Sequence, residues 1–219
     1  MKPRVQIQFI SDVMCPWCVV GLGNLKQALA ALEDEYTADI VCQPFEINPE
    51  MVEEGEQIQE HLMEKYKMTA EDYVQSREEL ISRGQAIGFE YHYDDNSRIW
   101  NSFDAHRLLH WAQPQGQQLA LKEALFQAHF HDNRNVSDHA ILAEVAASVG
   151  LNQEEALALL ASDQFADEVR QQEQYWHKNG VSSVPSIVIN DKYLITGGQP
   201  AHVFQQAIAN IMAEEAASA

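Results

Sequence analysis

The feature that most constrains this chain is a pair of cysteines three residues apart, placed where a strand pattern gives way to a helix pattern. Val5 to Ile10 alternates apolar and polar residues, as a strand does. The motif Cys15-Pro16-Trp17-Cys18 follows, and the next leucines recur at spacings of three and four, which predicts a helix from Cys18 to about Glu35. Both thiols therefore fall on one side of a first helical turn, at a spacing that permits a disulfide.

The two cysteines are predicted to have different roles. A thiol at a helix N-terminus faces unpaired backbone N–H groups and the positive end of the helix dipole, and both favour the thiolate. Cys15 is therefore predicted to be the nucleophile, and Cys18, one turn deeper, the thiol that resolves a mixed disulfide. Asp12 lies three residues before Cys15, and its carboxylate would oppose thiolate formation if it faced the sulfur.

Half of a zinc site is the alternative for two cysteines at this spacing. A structural zinc site needs two more ligands, but Cys42 stands alone, and the histidine pairs 106/110 and 129/131 have no carboxylate or thiol companion nearby in sequence. We therefore predict no metal. Cys42 is predicted to be a buried free thiol in an apolar strand rather than a third redox partner.

Charge limits the classes of partner. The 219 residues include 14 Lys and Arg against 33 Asp and Glu, a formal net charge of -19, which repels phosphate backbones and anionic lipid. We expect neither nucleic acid nor membrane as a partner. Lys2 and Arg4 precede an alternating segment rather than the apolar run of a signal peptide, so a cytoplasmic location is expected, where a Cys-x-x-Cys pair points to redox cycling.

The rest of the chain divides into a long helical stretch and two strand-rich ends. A second strand is predicted over Ala38–Phe45, and helical periodicity between Pro49 and Gly180 predicts five to seven helices, one of them capped by Ser137. Strands are predicted again over Val184–Ile189 and Tyr193–Thr196, joined by a two-residue turn, with a helix after Pro200.

The redox motif and the distant Val184-Pro185 pair together resemble the thioredoxin superfamily, in which a cis-proline begins the strand that faces the cysteines. The resemblance implies a cis Val184–Pro185 peptide beside the two sulfurs. Three further segments are similar to the FrnE-like branch of the DsbA family; they are 43–49, 101–109 and 193–199. The resemblance therefore implies an α/β protein: a thioredoxin fold with a large inserted all-helical domain. Its domains are residues 1–48 with 180–219, and the insertion 49–179.

The same resemblance implies an enzyme, a thiol-disulfide oxidoreductase that exchanges disulfides with protein or small-molecule thiols, glutathione among them. Cys15 and Cys18 would be catalytic, and Pro16, Trp17, Val184 and Pro185 would contact the substrate. No metal or organic cofactor is expected, although glutathione is a possible co-substrate. Two alternatives stay open: a glutathione-dependent transferase or isomerase acting on a small molecule, and a redox-sensing peptide-binding protein without turnover. The second thiol, Cys18, favours disulfide exchange.

Overall fold

A four-stranded mixed sheet forms the centre of the fold in the computed structural model, which describes residues 2–94 and 96–218. The strands are β1 (Arg4–Ser11), β2 (Thr37–Pro44), β5 (Ser186–Ile189) and β6 (Tyr193–Thr196), and the sheet order is β2-β1-β5-β6. β1 runs parallel to β2 and antiparallel to β5, so that Phe9 lies opposite both Cys42 and Ile187. β6 completes the sheet through the turn at Asn190-Asp191, whose positive φ values of 50° and 53° match the predicted hairpin.

Helices surround the sheet and fill the segment between its two halves. They are α1 (Pro16–Ala31), α2 (Ile58–Tyr66), α3 (Ala70–Ala86), α4 (Phe103–Ala112), α5 (Gln118–Phe130), α6 (His139–Ser148), α7 (Gln153–Leu160), α8 (Ala166–Lys178) and α9 (Ala201–Ser218). Seven of these helices lie between residues 49 and 179, at the upper end of the predicted range. No helix in the described segments is long and apolar enough to cross a membrane.

Successive side chains of β1 point to opposite faces of the sheet, and each face is covered by a different hydrophobic core. Val5, Ile7 and Phe9 are buried in the core that also contains side chains of α1 and α9. Ile10 points to the other face and packs in a smaller core with Trp176 of α8. This arrangement, with a parallel β1–α1–β2 unit followed by an antiparallel hairpin and a last helix, confirms the predicted thioredoxin fold with a helical insertion.

The inserted helices do not stand apart from the sheet. Leu80 of α3 and Phe126 of α5 are buried in the same core as Phe9 and Cys18. A second core is built mainly from α4 to α7, and it also includes Val13 and Met14 from the loop before α1. The division of the chain into domains at residues 48/49 and 179/180 stays a prediction.

One close contact fixes α1 against the second half of the fold. A Cβ atom on Gly21 would lie 2.8 Å from Cγ of Pro185, and one on Gly198 would lie 3.2 Å from the Trp17 carbonyl oxygen. Because glycine has no Cβ, the backbone of α1 can lie directly against the Pro185 ring and against the backbone at Gly198, between β6 and α9. The Val184–Pro185 peptide is cis, as predicted.

Several predicted details of the fold are wrong. α1 begins at Pro16, which suits a first helical position, and ends at Ala31 rather than near Glu35. The cap of α6 is Asp138, whose carboxylate accepts hydrogen bonds from two amides of the first turn, and not Ser137. A small antiparallel pair, β3 (Glu56–Gln57) and β4 (Arg98–Ile99), was not predicted because its strands are too short for a periodicity.

Candidate active site

Cys15 occupies the N-cap position of α1, directly before Pro16. Its backbone N–H donates to the Asp12 carbonyl at 3.2 Å, and its own carbonyl accepts from the Cys18 N–H at 3.0 Å. These two hydrogen bonds fix the backbone on both sides of Cys15. The Cys15 thiol donates to the Val184 carbonyl oxygen, with sulfur and oxygen 3.7 Å apart. The two parts of the predicted site, far apart in sequence, therefore meet at this sulfur.

Cys18 lies one turn further along α1 and is fully buried. Burial raises the pKa of the Cys18 thiol well above its ordinary value, and the hydrogen bond and charge of the neighbouring Cys15 raise it further, while the charge of Lys122 acts in the opposite direction. Both cysteines are free thiols in the structure. The two sulfurs of one motif thus have very different surroundings.

A cavity of about 240 Å³ opens beside Cys15. One wall is the redox motif itself, Met14 to Trp17, with Val184 beside it. The opposite wall comes from the inserted helices, chiefly apolar and aromatic side chains of α2 and α3 and the Tyr93 ring. Cys15 lines this cavity with only 4% of its surface exposed, and Cys18 does not line it.

Two cations stand in this cavity although the chain as a whole is acidic. Lys65 of α2 donates to the Ile47 carbonyl at 2.9 Å and also to the Asn48 side-chain oxygen. Arg77 of α3 donates to the Tyr93 carbonyl at 2.7 Å, with its guanidinium 5.1 Å from the centre of the Tyr93 ring. The described residues that line the cavity thus include these two cations and no carboxylate.

Tyr91 ties the insertion to the redox motif. Its hydroxyl donates to the Pro16 carbonyl at 2.7 Å, and its ring is buried and parallel to that of Tyr93 at 5.9 Å. The segment around it is irregular. Tyr91 was not predicted to be a site residue, because nothing local distinguishes it from its aromatic neighbours.

Asp12 is buried beneath the turn that precedes Cys15. One carboxylate oxygen accepts from the Met14 N–H at 3.1 Å, and the other accepts from the Ile47 N–H at 2.7 Å. Burial alone would raise the Asp12 pKa, but His106, whose Nε2 is 3.6 Å away, and the two amides outweigh it and lower the pKa. Asp12 therefore holds the loop before Cys15 to the segment after β2.

Three further side chains, those of His106, Asn101 and Cys42, lie outside the cavity. His106 is buried against Asp12, and Asn101 accepts a hydrogen bond from the Phe103 N–H before α4, so neither lines the cavity. Cys42 is buried in β2, where burial raises its pKa to about 11. These residues have roles in the structure of the core and its loops.

One exposed group among the described residues brings three candidate metal ligands within 4.8 Å of one another: Glu90, His92 and His131. The two imidazole rings are tilted, with centres 3.9 Å apart and planes inclined by 32°. His131 Nδ1 lies 2.9 Å from the Glu90 carbonyl oxygen, and His92 Nε2 lies 3.3 Å from the Glu90 carboxylate. Both histidines therefore already contact Glu90.

Comparison with known proteins places this geometry among known folds. The family model described as the DSBA-like thioredoxin domain matches residues 6–209. A probable DsbA oxidoreductase from Streptomyces coelicolor is 34% identical, with 96% of this chain and 91% of that chain covered and a TM-score of 0.89. The cytosolic disulfide reductase DsbM from Pseudomonas aeruginosa, solved with GSH, is 14% identical, with coverage of 94% and 98% and a TM-score of 0.64. A 2-hydroxychromene-2-carboxylate isomerase is 14% identical, with coverage of 98% and 99% and a TM-score of 0.68.

Proposed function

The chain belongs to the DSBA-like thioredoxin domain family, and from that premise we propose that it is a thiol-disulfide oxidoreductase that works through Cys15 and Cys18. The observation that carries the proposal is the contrast between the two thiols. Cys15 lines the cavity at the start of α1, and Cys18 is fully buried behind it. A substrate sulfur can reach only the first, while the second can reach only a sulfur already bonded to Cys15.

The reaction balances without a cofactor. The Cys15 thiolate attacks one sulfur of a substrate disulfide, a Cys15–substrate bond forms, and the other substrate sulfur leaves as a thiolate that takes a proton from solvent. The Cys18 thiolate then attacks Cys15, the Cys15–Cys18 disulfide forms, and the second substrate thiolate leaves. Two protein thiols are oxidised while one substrate disulfide is reduced to two thiols. The same steps in reverse oxidise a substrate dithiol.

The residues around Cys15 support this assignment. Its N-cap position places it at the positive end of the α1 dipole, which favours a thiolate. The Val184 carbonyl, which accepts from the Cys15 thiol in the free protein, would become available to a donor of the substrate once Cys15 is bonded. We assign Val184 and Pro185, with Pro16 and Trp17, to substrate contact.

The substrate class follows from the size and charge of the cavity. With Cys15 only 4% exposed in a cavity of about 240 Å³, a rigid disulfide on the surface of a folded protein cannot reach the sulfur without rearrangement. Small disulfides and extended, exposed segments can. Lys65 and Arg77 favour a substrate with carboxylates, and glutathione disulfide meets both conditions. The structural similarity to DsbM, solved with GSH, is consistent with this choice.

A direct test follows the reduction of glutathione disulfide and of the uncharged disulfide of 2-mercaptoethanol by dithiothreitol, which also regenerates the reduced protein, with and without the protein. The proposal expects the protein to accelerate both reactions above the rate with dithiothreitol alone, with preference for glutathione disulfide. Cys15→Ser should abolish turnover with both substrates. Turnover no faster than with dithiothreitol alone would leave a redox-sensing binding protein as the better description.

A glutathione-dependent transferase or isomerase is the second candidate, favoured by the structural similarity to the isomerase and by the apolar wall of the cavity. In that chemistry only one sulfur activates or holds a thiol, and Cys18 has no role. A Cys18→Ser protein that kept full activity on a small-molecule substrate would support this candidate over disulfide exchange. We also propose a cytoplasmic location, because the structurally similar DsbM is a cytosolic disulfide reductase, and cell fractionation would test this.

A further inference from the structure

Lys122 of α5 is a charged side chain in the core that the proposed reaction has not yet used. It is fully buried, and its ammonium group makes one hydrogen bond among the described residues, to the Ser11 carbonyl at 3.4 Å. Ser11 is the last residue of β1, at the point where the chain leaves the sheet for the redox motif. The Lys122 nitrogen also lies 5.2 Å from the centre of the Phe126 ring.

The position of this ammonium is fixed by α5. One turn earlier, the Gln118 amide accepts from the Cys42 N–H at 2.9 Å and donates to the Cys42 carbonyl at 3.0 Å, so α5 is hydrogen-bonded to the edge strand β2. Phe126, one turn after Lys122, is buried in the same core as Cys18 and Cys42. Lys122 is therefore held beside β2 and near α1, inside the protein.

A lysine in this position is costly. Removing an ammonium from water is strongly unfavourable unless partners compensate, and one long hydrogen bond and one aromatic face compensate only in part. Burial accordingly lowers the Lys122 pKa, and the charges of Cys42, Cys18, Asp12 and Cys15, in that order, oppose the shift. A methionine or leucine would fill the same space without this cost.

We propose, on the basis of the proposed function, that Lys122 is a positioning residue for the resolving step, whose buried ammonium stabilises the thiolate of Cys18. Cys18 needs such a group because it must lose its proton inside the core before it can attack. No hydrogen bond joins the Lys122 nitrogen to the Cys18 sulfur among the described contacts, so the interaction is one of charge.

The step balances within the mixed disulfide. Cys18 gives up a proton, its thiolate attacks the Cys15 sulfur, the Cys15–Cys18 bond forms and the Cys15–substrate bond breaks. The proton lost by Cys18 ends on the departing substrate thiolate. Lys122 keeps its charge throughout and enters no bond.

Other titratable groups face the same site, and the test must separate them. Those acting on Lys122 or Cys18 come from the loop before α1, from α1, β2 and α4, and from the aromatic segment; they are Asp12 with His106 beside it, Cys15, Cys42 and Tyr91. Cys42 needs its own control, because its thiolate, once formed, would act on Lys122 more strongly than any of the other groups. A Cys42→Ala variant therefore belongs in the experiment.

The test mixes reduced protein with 5,5′-dithiobis(2-nitrobenzoate) and follows the coloured thiolate in two phases from pH 6 to 9. The first equivalent reports attack by Cys15, and the second reports closure by Cys18. In Lys122→Met the second phase should be about tenfold slower at pH 7, with its midpoint about one pH unit higher, and the first phase should change much less. The melting temperature should not fall, because a buried charge that is compensated only in part has been removed.

Control variants make the result specific. Lys26→Met removes a lysine of α1 from its surface ion pair with Glu123 of α5, and both phases should keep the parent rates. If Lys122→Met does not fold, Lys122→Gln takes its place and should show the same slow second phase. Lys122→Arg keeps a positive charge and should recover part of the parent rate of that phase. In Cys42→Ala the second phase should stay fast.

Three results would overturn the proposal. The first is a second phase in Lys122→Met with the parent rate and pH midpoint. The second is equal slowing of both phases with a lower melting temperature, which would indicate a structural role. The third is a second phase slowed as much by Lys26→Met or Cys42→Ala as by Lys122→Met. A parent protein that releases only the first equivalent would instead contradict the proposed function itself.

Discussion

The sheet part and the inserted helices contribute different things to the same cavity. The sheet part supplies the two thiols and the hydrophobic core around them, which includes Phe9 and Ile187. The insertion supplies the charges, Lys65 and Arg77 in the cavity and Lys122 in the core, and the Tyr91 hydroxyl that holds the motif. In the proposed function the reacting thiols therefore belong to the sheet part, whereas the charges that act on the substrate and on Cys18 come from the insertion. Changes in one should leave the other measurable.

The largest effect should come from the sheet part. Cys15→Ser replaces the attacking sulfur by a hydroxyl that is not a thiolate and cannot form a disulfide, so turnover should fall by about a thousandfold or more with every disulfide tested. Steady-state rates with charged and uncharged disulfides measure this. Substantial activity with either substrate would place the attacking group elsewhere and remove the basis of the comparison.

A buried carboxyl group at the boundary between the two parts, that of Glu46, should make the free energy of unfolding depend on pH. Burial and the nearby Glu173 raise the pKa of Glu46 to about 7, although Arg170 acts against the shift. The folded state then binds this proton more tightly than the unfolded state, so stability is full below the unfolded pKa and is lost as pH rises through about 7. Urea unfolding should show a decrease of roughly 1–3 kcal/mol between pH 5 and 7.5.

The matched variants isolate that group. Glu46→Gln should remove most of the decrease, because the amide does not ionise, while the exposed Glu78→Gln should keep it. Stability of the parent protein that rose with pH over this range would contradict the assignment to Glu46.

A smaller effect should follow from the cations of the insertion. Lys65→Met should lower kcat/KM for glutathione disulfide by roughly tenfold through KM, because a carboxylate loses a charged partner, and should change the rate with the uncharged disulfide much less. Raising ionic strength should reduce the difference in kcat/KM between glutathione disulfide and the uncharged disulfide in the parent protein. The exposed Lys178→Met serves as the control, and equal losses with both disulfides would assign Lys65 to structure instead of selection.

The smallest effect concerns the link between the two parts. Tyr91→Phe removes the hydroxyl that donates to the Pro16 carbonyl and should reduce the free energy of unfolding by about 1 kcal/mol. Urea denaturation measures it, with Tyr175→Phe, whose ring is 56% exposed, as a control expected to change by less than about 0.5 kcal/mol. Unchanged stability in Tyr91→Phe would mean that this hydrogen bond does not stabilise the junction.

The sequence predicted those features that are determined locally. The position of Cys15 and Cys18 between a strand and a helix, the alternation in β1, and the hairpin turn at Asn190-Asp191 each depend on a few adjacent residues, and the structure has them at the predicted places. The sequence did not determine which residue caps α6, because Ser137 and Asp138 are adjacent and both are good capping residues; the structure has Asp138 as the cap.

The site beyond the cysteines was not predictable in the same way. Lys65 follows Glu64 near the end of α2 and resembles a solvated lysine, and Lys122 lies among leucines on α5 with no local sign that its nitrogen is buried. Both acquire their place only when the insertion folds onto the sheet. The prediction of different roles for Cys15 and Cys18, by contrast, needed only the geometry of one helical turn.

The central claim is this division of roles, and trapping tests it most directly. In Cys18→Ala, a mixed disulfide with glutathione should accumulate on Cys15, as read by mass spectrometry of peptides, and should disappear on addition of dithiothreitol. In Cys15→Ala no adduct should form, because Cys18 is buried away from the cavity. Adducts on Cys18 of the Cys15→Ala protein, with Cys15 unreactive in the Cys18→Ala protein, would reverse the roles and contradict the account.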